Sequence, residues 1–236
     1  IKRSELMRHW MQQGVRFGLA QNIHIDMGVK IGAGTFVGSS VILIGKIKIG
    51  KNCRIHANTI VENSTIGDET IIHANTIVKS SVVGKKCSVG PFAHVQQNSI
   101  LEDGSKIGNF VEVTRSTICS KAKAKHLAYI GDTQLGANSN IGAGTIICNY
   151  DGKEKHRTVI GANAFIGSNN TIVAPLTIGK DAITAGGSTI TENVPGGSLG
   201  IGRSRQINKL DYKQTKKKDE KPLAVTTLKP FKQRQQ

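Results

Sequence analysis

From about Ile25 onward the chain repeats one pattern: an aliphatic residue, a glycine or a substitute for it, two residues of any kind, then a small residue. The aliphatic recurs every six positions, in IGAGT at Ile31, VGSSV at Val37, IGKNC at Ile49, IHANT at Ile55 and Ile72, IGDET at Ile66 and VGKKC at Val83. The series continues through VGPFA at Val89, IGNFV at Ile107, LGANS at Leu135, IGAGT at Ile141, IGANA at Ile160, IGSNN at Ile166 and IGKDA at Ile178. An amphipathic helix repeats every ~3.6 residues and a half-buried strand every 2, so neither gives a period of six. The pattern predicts an all-β parallel β-helix, in which three six-residue faces form a triangular coil of about 18 residues with the aliphatics stacked inward. Roughly ten coils at ~4.8 Å each would make a prism some 45 to 50 Å tall. The glycines, asparagines and aspartates beside the aliphatics are assigned to the corners, where left-handed backbone is needed. Ahead of the repeat, residues 1–14 predict a short helix with Ser4 as N-cap, Leu6, Met7, Trp10 and Met11 at helical spacing, and Gly14 as its stop.

Composition agrees with a solenoid. Hydrophobic residues reach 38% but aromatics only 4%, and there are 27 glycines, as expected of a narrow interior filled by Ile, Val, Thr, Ala and Cys. No apolar run approaches the roughly 18 residues of a membrane span and no signal peptide is apparent, so a cytoplasmic protein is expected. Cys53, Cys87, Cys119 and Cys148 lack the CxxC spacing of zinc or redox motifs and are expected to be buried free thiols, Cys53 and Cys87 on the small-residue slot. The net charge of +16 is concentrated late: from Arg203 to the end there are eleven Lys or Arg against three acids. That basic segment, 203–236, is expected to be largely disordered after about residue 212, and without aromatic platforms it does not point to nucleic acid.

Chemistry is expected where the rhythm breaks. Between His126 and Thr158 the repeat carries His126, Tyr129, Asn140, Asn149, Tyr150 and Lys155, and NYDGKEKHR interrupts it outright. His56 and His73, each at the turn slot of an IHANT unit, are read as structural.

The strings GNFVE, KHLAYIGD, NIGAGTIICNYDGKEK and GSNNTIVAP closely resemble the C-terminal acetyltransferase domain of the bifunctional N-acetylglucosamine-1-phosphate uridyltransferase/glucosamine-1-phosphate acetyltransferase, over about residues 14–210. The resemblance implies a left-handed β-helix spanning 15–202, a homotrimer, acetyl-CoA as co-substrate with no metal needed for acetyl transfer, and a place in UDP-N-acetylglucosamine biosynthesis. The family's nucleotidyl-transfer half, with its Gly-rich loop, is absent from this sequence, and helix 1–14 resembles the end of the linker from it. Carried over by motif, His126 is the general base, for which a neutral imidazole of pKa about 6.5 is suited. Tyr129, Asn140 and Lys155 are implied acceptor contacts. Asn149 and Tyr150 would hold the acetyl group and donor, while Ala143, Ser168, Gly186, Arg203 and Lys209 would contact coenzyme A, Ser168 also meeting the thioester oxygen. For Arg203 and Lys209 the plain alternative is a solvated tail.

Two positions depart from the family motif. Gln96 stands where an Arg, and Thr114 where a Lys, would meet the acceptor phosphate. His94 and Arg115 are close by, but strand alternation would turn a residue adjacent to Thr114 to the opposite face. The leading reading is N-acetylation of glucosamine-1-phosphate. A second keeps the chemistry on another amino sugar, with or without a phosphate, and a third is a weakly active trimeric scaffold.

Overall fold

The computed structural model describes residues 3–19 and 22–212. The chain divides into two units, Ile1–Arg203 and Ser204–Gln236. In the second, the described residues 204–212 are exposed and irregular up to a turn at Leu210. The stretch expected to be disordered lies outside the described residues.

The first unit is a left-handed parallel β-helix. Its first face follows the register Arg16, Phe36, Arg54, Ile71, Ser88, Lys106, Lys123, Asn140, Phe165, Ile183, Leu199. The second runs from His24 through His94, Glu112, Tyr129 and Ile146 to Thr189. The third is a nine-stranded sheet from Val29–Ile31 to Leu176–Ile178. The first two faces are joined because the nine-residue strands Lys106–Thr114 and Lys123–Gly131 pass through the corner between them without a break.

The repeat is less regular than a strict six. Register partners are 18 residues apart from Phe36 to Arg54, but 17 apart from Arg54 to Ile71 and from Ile71 to Ser88. The missing residue is lost on entering the third face, where Val61 to Ile66, Val78 to Val83, Val113 to Ile118 and Ile130 to Leu135 are steps of five. Each short corner is closed by a buried hydroxyl donating to the carbonyl two residues back: Ser64 to Glu62 at 2.6 Å, Ser81 to Lys79 at 2.7 Å, Ser116 to Thr114 at 2.9 Å and Thr133 to Gly131 at 2.8 Å. This side-chain bond replaces a residue of backbone.

The interior is a ladder of fully buried aliphatics, among them Leu43, Ile55, Ile72, Leu101, Ile130 and Ile147. Small residues fill the corners between them. Cys53 and Cys87 are buried free thiols whose Sγ–H groups donate to the Gly67 and Glu102 carbonyls at 3.1 and 3.2 Å, and burial pushes both thiols up in pKa. Cys119 and Cys148 are free but only half-buried, so the expectation of four buried thiols holds for two.

The corner glycines also need correction. Left-handed backbone falls mostly three residues after the aliphatic, at Asn52, Asn58, Glu69, Asn75 or Gly104, and at the adjacent position only in the VGPFA unit, at Gly90. The adjacent glycine is required by crowding: a Cβ on Gly32 would lie 2.6 Å from the Gly50 carbonyl carbon, and one on Gly67 equally close to that of Gly84. Ahead of the coils, the helix Arg3–Gln12 contains Ser4 within it and so does not use it as a cap. Met7 is buried, Trp10 packs on the core, and Gly14 turns the chain at φ +82°.

Candidate active site

His126 lies on the strand Lys123–Gly131, at the corner between the first and second faces. Its register partner is Asn109, and Nδ1 of His126 sits 2.9 Å from Asn109 Oδ1. A carbonyl oxygen only accepts, so this bond needs the hydrogen on Nδ1. In the neutral ring Nε2 then carries the free lone pair.

Above His126 on the same corner the side chains become small. His126 stands two residues after Ala124, and the register Ala124, Ile141, Ile166, Thr184 brings Ala143, Ser168 and Gly186 to the equivalent position of successive coils. Neighbouring coils are stitched here by backbone bonds, Gly144 N–H to Leu127 O at 3.0 Å, Asn169 N–H to Ala143 O at 2.7 Å and Gly187 N–H to Ser168 O at 2.8 Å. A Cβ on Gly186 would find only the Ser168 backbone, at 3.5 and 3.9 Å, so the position tolerates alanine. Arg203 ends the column: its Cδ would be 3.8 Å from a Cβ on Gly187.

The second face carries a denser polar network. Gln96, Thr114 and Gly131 share one register line, and Glu112 and Tyr129 another. Gln96 Nε2 donates to Glu112 Oε1 at 2.8 Å. Thr114, only 2% exposed, lies beneath Arg115 and accepts from it at 3.3 Å. Arg115 is not turned to the opposite face: at φ +49° it ends the strand, so alternation stops there. Its guanidinium is clamped on Asp132, Nε to Oδ1 at 2.7 Å and Nη2 to Oδ2 at 2.8 Å, and Nη1 also reaches Gln97. Asn149, buried, donates to the same Asp132 carboxylate. The Arg115 bond holds the Asp132 carboxyl below the usual range against burial, with Asn149 and the charge of Lys155 acting the same way. Asp132 in turn raises Arg115, with a smaller contribution from Tyr129. Gly131 permits this gathering: a Cβ there would lie 2.5 Å from Asn149 Nδ2 and 2.7 Å from the Tyr129 hydroxyl.

The NYDGKEKHR segment is the insertion that stretches the register from Asn140 to Phe165 to 25 residues. It folds on itself. Asp151 Oδ1 accepts from the backbone N–H groups of Lys153 and Glu154 at 2.7 and 2.8 Å, and its Oδ2 lies 2.6 Å from His156 Nε2. His156 first, and then those N–H groups, hold the Asp151 carboxyl well below its usual range. Tyr150 and Lys155 form an antiparallel bridge, the Tyr150 hydroxyl donates to Gly152 O at 2.8 Å, and Arg157 donates to Gln134 at 2.7 Å.

One chain therefore gathers Gln96, Thr114, Tyr129 and Asn149 on the second face, with the charge of Lys155 felt there, and His126, Ala143, Ser168 and Gly186 on the corner with Arg203 at its end. It does not join Asn140 to Tyr129: Asn140 lies on the first face between Lys123 and Phe165. Tyr150 is exposed within its own loop, and Lys209 belongs to the second unit. Sequence reasoning missed Asn109, Glu112 and Asp132 as working parts, although all three stand inside or beside the strings GNFVE and YIGD that carried the resemblance.

Known proteins can now be set beside this geometry. The GMPPB C-terminal domain family matches residues 19–105 and the bacterial transferase hexapeptide (six repeats) family residues 157–192. The bifunctional protein GlmU of Thermodesulfovibrio yellowstonii is 45% identical over 216 residues, covering 92% of this chain and 48% of that protein. The GlmU of Streptococcus thermophilus is 48% identical over 212 residues, 90% of this chain and 46% of its own length. The chain belongs to the hexapeptide-repeat transferase family. It matches the C-terminal acetyltransferase part of GlmU and spans about half the length of these relatives. The fold is shared with LpxA, a UDP-N-acetylglucosamine acyltransferase from Bacteroides fragilis, at a TM-score of 0.53 and 16% identity over 74% of this chain and 68% of that one.

Proposed function

We propose that this chain transfers the acetyl group of acetyl-CoA to the amine of an amino sugar, with His126 as general base and, as the likeness to GlmU suggests, glucosamine-1-phosphate as the reference acceptor. The observation that carries the reading is the corner column: a histidine with its Nε2 lone pair free, continued by Ala143, Ser168 and Gly186 and ending at a cation, Arg203. A slender thioester arm can lie along small side chains, with its phosphates toward Arg203. The acceptor nitrogen attacks the thioester carbonyl carbon and its proton passes to His126 Nε2. The developing oxyanion takes a hydrogen bond from Ser168. As the intermediate collapses the C–S bond breaks, and the thiolate leaves with the proton from His126 as free coenzyme A. Asn109 keeps the ring in the required tautomer, so positioning and proton transfer supply the rate.

We also propose a homotrimer. Phe92, Phe110 and Leu127 stand 50%, 56% and 58% exposed on the corner next to His126, all in the left-handed conformation that bulky residues seldom adopt. Phe92 and Phe110 stack at 5.3 Å, and with Leu127, Tyr129, Glu112 and Ile146 they line a groove of about 390 Å³. A second copy would cover this apolar ladder and could bring its first face, with Asn140, toward Tyr129. Native mass measurement should give three times the 25.3 kDa of the chain, and a monomer that still transferred acetyl groups would refute the assembly.

One observation favours a second reading of the acceptor. Gln96 is committed to Glu112 and Arg115 to Asp132, so neither offers a free cation to a sugar phosphate. An unphosphorylated amino sugar fits that surface better. Acetyl-CoA consumption measured with glucosamine-1-phosphate, glucosamine and glucosamine-6-phosphate decides between them, and no consumption with any amino sugar removes the whole proposal.

A further inference from the structure

Away from the second-face network, the first face carries a group of cations that the acetyl-transfer reading leaves unused. Lys106, Lys121 and Lys123, with Gly104 and Asn138, line a groove of about 270 Å³, near the lower end of the roughly 300–1,000 Å³ usual for small-molecule sites. Lys106 and Lys123 are direct register partners on adjacent strands, an arrangement in which like charges destabilise the pair. Lys121 is held at φ +60°, on the corner line that also carries Asn52, Glu69, Lys86, Asn138, Asn163 and Asp181. Gly104 is the next position down that line, and its lack of a side chain opens the floor between the lysines; a Cβ there would come within 3.4 Å of Lys121 Cγ.

None of these cations is neutralised locally. Among the described residues Lys79, Lys85, Lys86 and Lys180 each have a carboxylate within 4 Å, whereas Lys106, Lys121 and Lys123 have none. The two nearest acids in sequence accept from neutral donors and form no ion pair with these lysines: Asp103 Oδ1 accepts from the Lys85 backbone N–H at 2.7 Å, and Glu102 Oε2 from the N–H and hydroxyl of Ser120 at 2.9 and 3.0 Å. We infer that this groove is a binding site for a small multivalent phosphate anion, held by the three ammonium groups and the Asn138 amide.

The size of the charged area argues for the ligand class. On the first face Lys106 and Lys123 are adjacent and the exposed Lys125 follows on the same strand, while Arg54 and Arg16 stand further down, separated from the pair by Ile71 and Ser88, and Asn140 and Phe165 lie above. A nucleic-acid track would need a longer basic stripe with stacking partners. A compact phosphate or pyrophosphate needs only the three charges already present. The site lies on the strand that carries His126, three residues before it, which is about 10 Å of extended chain. It is also separate from the column ending at Arg203.

The test uses the full chain at low ionic strength with pyrophosphate as the probe, by calorimetric titration and by the thermal shift the anion produces. The native protein should bind one pyrophosphate per chain and gain thermal stability from it. The triple variant K106Q/K121Q/K123Q should bind at least tenfold more weakly and lose that gain, while its melting temperature without anion is equal or higher because the like-charge contact is gone. Inorganic phosphate should follow the same pattern with lower affinity. Acetyl-CoA affinity should be unchanged in the triple variant and lowered in Arg203→Gln, which separates this site from the donor's phosphates. Absence of saturable pyrophosphate binding to the native chain would overturn the assignment. So would parallel loss of acetyl-CoA binding in the triple variant, or binding of an oligonucleotide but not of pyrophosphate. The reading stands or falls on binding alone, so an inactive enzyme would not affect it.

Discussion

The corner column and the second-face network sit side by side on the same coils and are built on opposite plans. Along the column side chains are removed: Ala143, Ser168 and Gly186 leave the backbone open between the His126 ring, oriented by Asn109, and Arg203 at the far end. In the network nearly every polar group is already satisfied, since Gln96 serves Glu112 while Arg115 and Asn149 converge on Asp132. The column is open to a ligand and the network holds itself together.

The largest effect should come from the column. His126→Ala should lower turnover by about 10² to 10⁴ while leaving coenzyme A binding unchanged, as expected for loss of a positioned base; steady-state rates with a separate binding titration check both halves. If turnover survives, His126 leaves the mechanism. Asn109→Ala should lower turnover less, by about tenfold, because it only orients the ring, and its mark should be an altered pH–rate profile.

Next comes the network as structure. Asp132→Ala strands the guanidinium of Arg115, whose side chain is 28% exposed, and should cost about 2 to 4 kcal/mol by urea unfolding at fixed protein concentration. Asp132 has a lowered folded pKa, so its contribution is fully present above the unfolded value of about 3.9 and is lost as pH falls through the folded value. Stability of the native chain should therefore drop below about pH 4, and Asp132→Asn should flatten that part of the curve. An unchanged acid limb would show that the clamp contributes nothing.

Restoring a cation probes the same region as a site. Gln96→Arg should lower the Michaelis constant for glucosamine-1-phosphate by about tenfold or more, one charge-assisted contact being worth roughly 1.5 to 3 kcal/mol. Thr114→Lys is the poorer test, since Thr114 is buried beneath Arg115 and a lysine there must displace the clamp. No change on the phosphorylated sugar would mean that Gln96 does not face the acceptor. The smallest effect is expected at Gly186→Ala, where a Cβ meets only the Ser168 backbone at 3.5 and 3.9 Å; stability and acetyl-CoA affinity should stay within about 0.5 kcal/mol. Gly142→Ala is its counterpart, because a Cβ there would press to 2.5 Å from Ser168 N and must be disruptive.

Much of this was legible in the residues. The recurrence of Ile and Val gave the β-helix and its core, since stacked coils bury their aliphatics in one continuous ladder. The strings around His126 and NYDGKEKHR gave the candidate site its place in the chain. Less legible were the steps of five, because a serine closing a corner looks like any other small residue until its hydroxyl is seen on the carbonyl two positions back. Arg115 was misplaced by strand alternation, a rule that ends where φ turns positive. Asp132 was passed over as a turn residue, and only its convergence with Arg115 and Asn149 reveals the clamp.

By itself, then, the sequence determined the period and the inward ladder, because these depend on hydrophobic burial that each position carries locally. Tertiary structure decided which of those side chains meet. Residues 17 or 18 apart become neighbours only through the coil register, and that register depends on corner bonds of single hydroxyls and on one inserted loop. Whether a cation such as Arg115 is free for a ligand or already held by a carboxylate is a matter of a few ångströms between coils, which no linear pattern records.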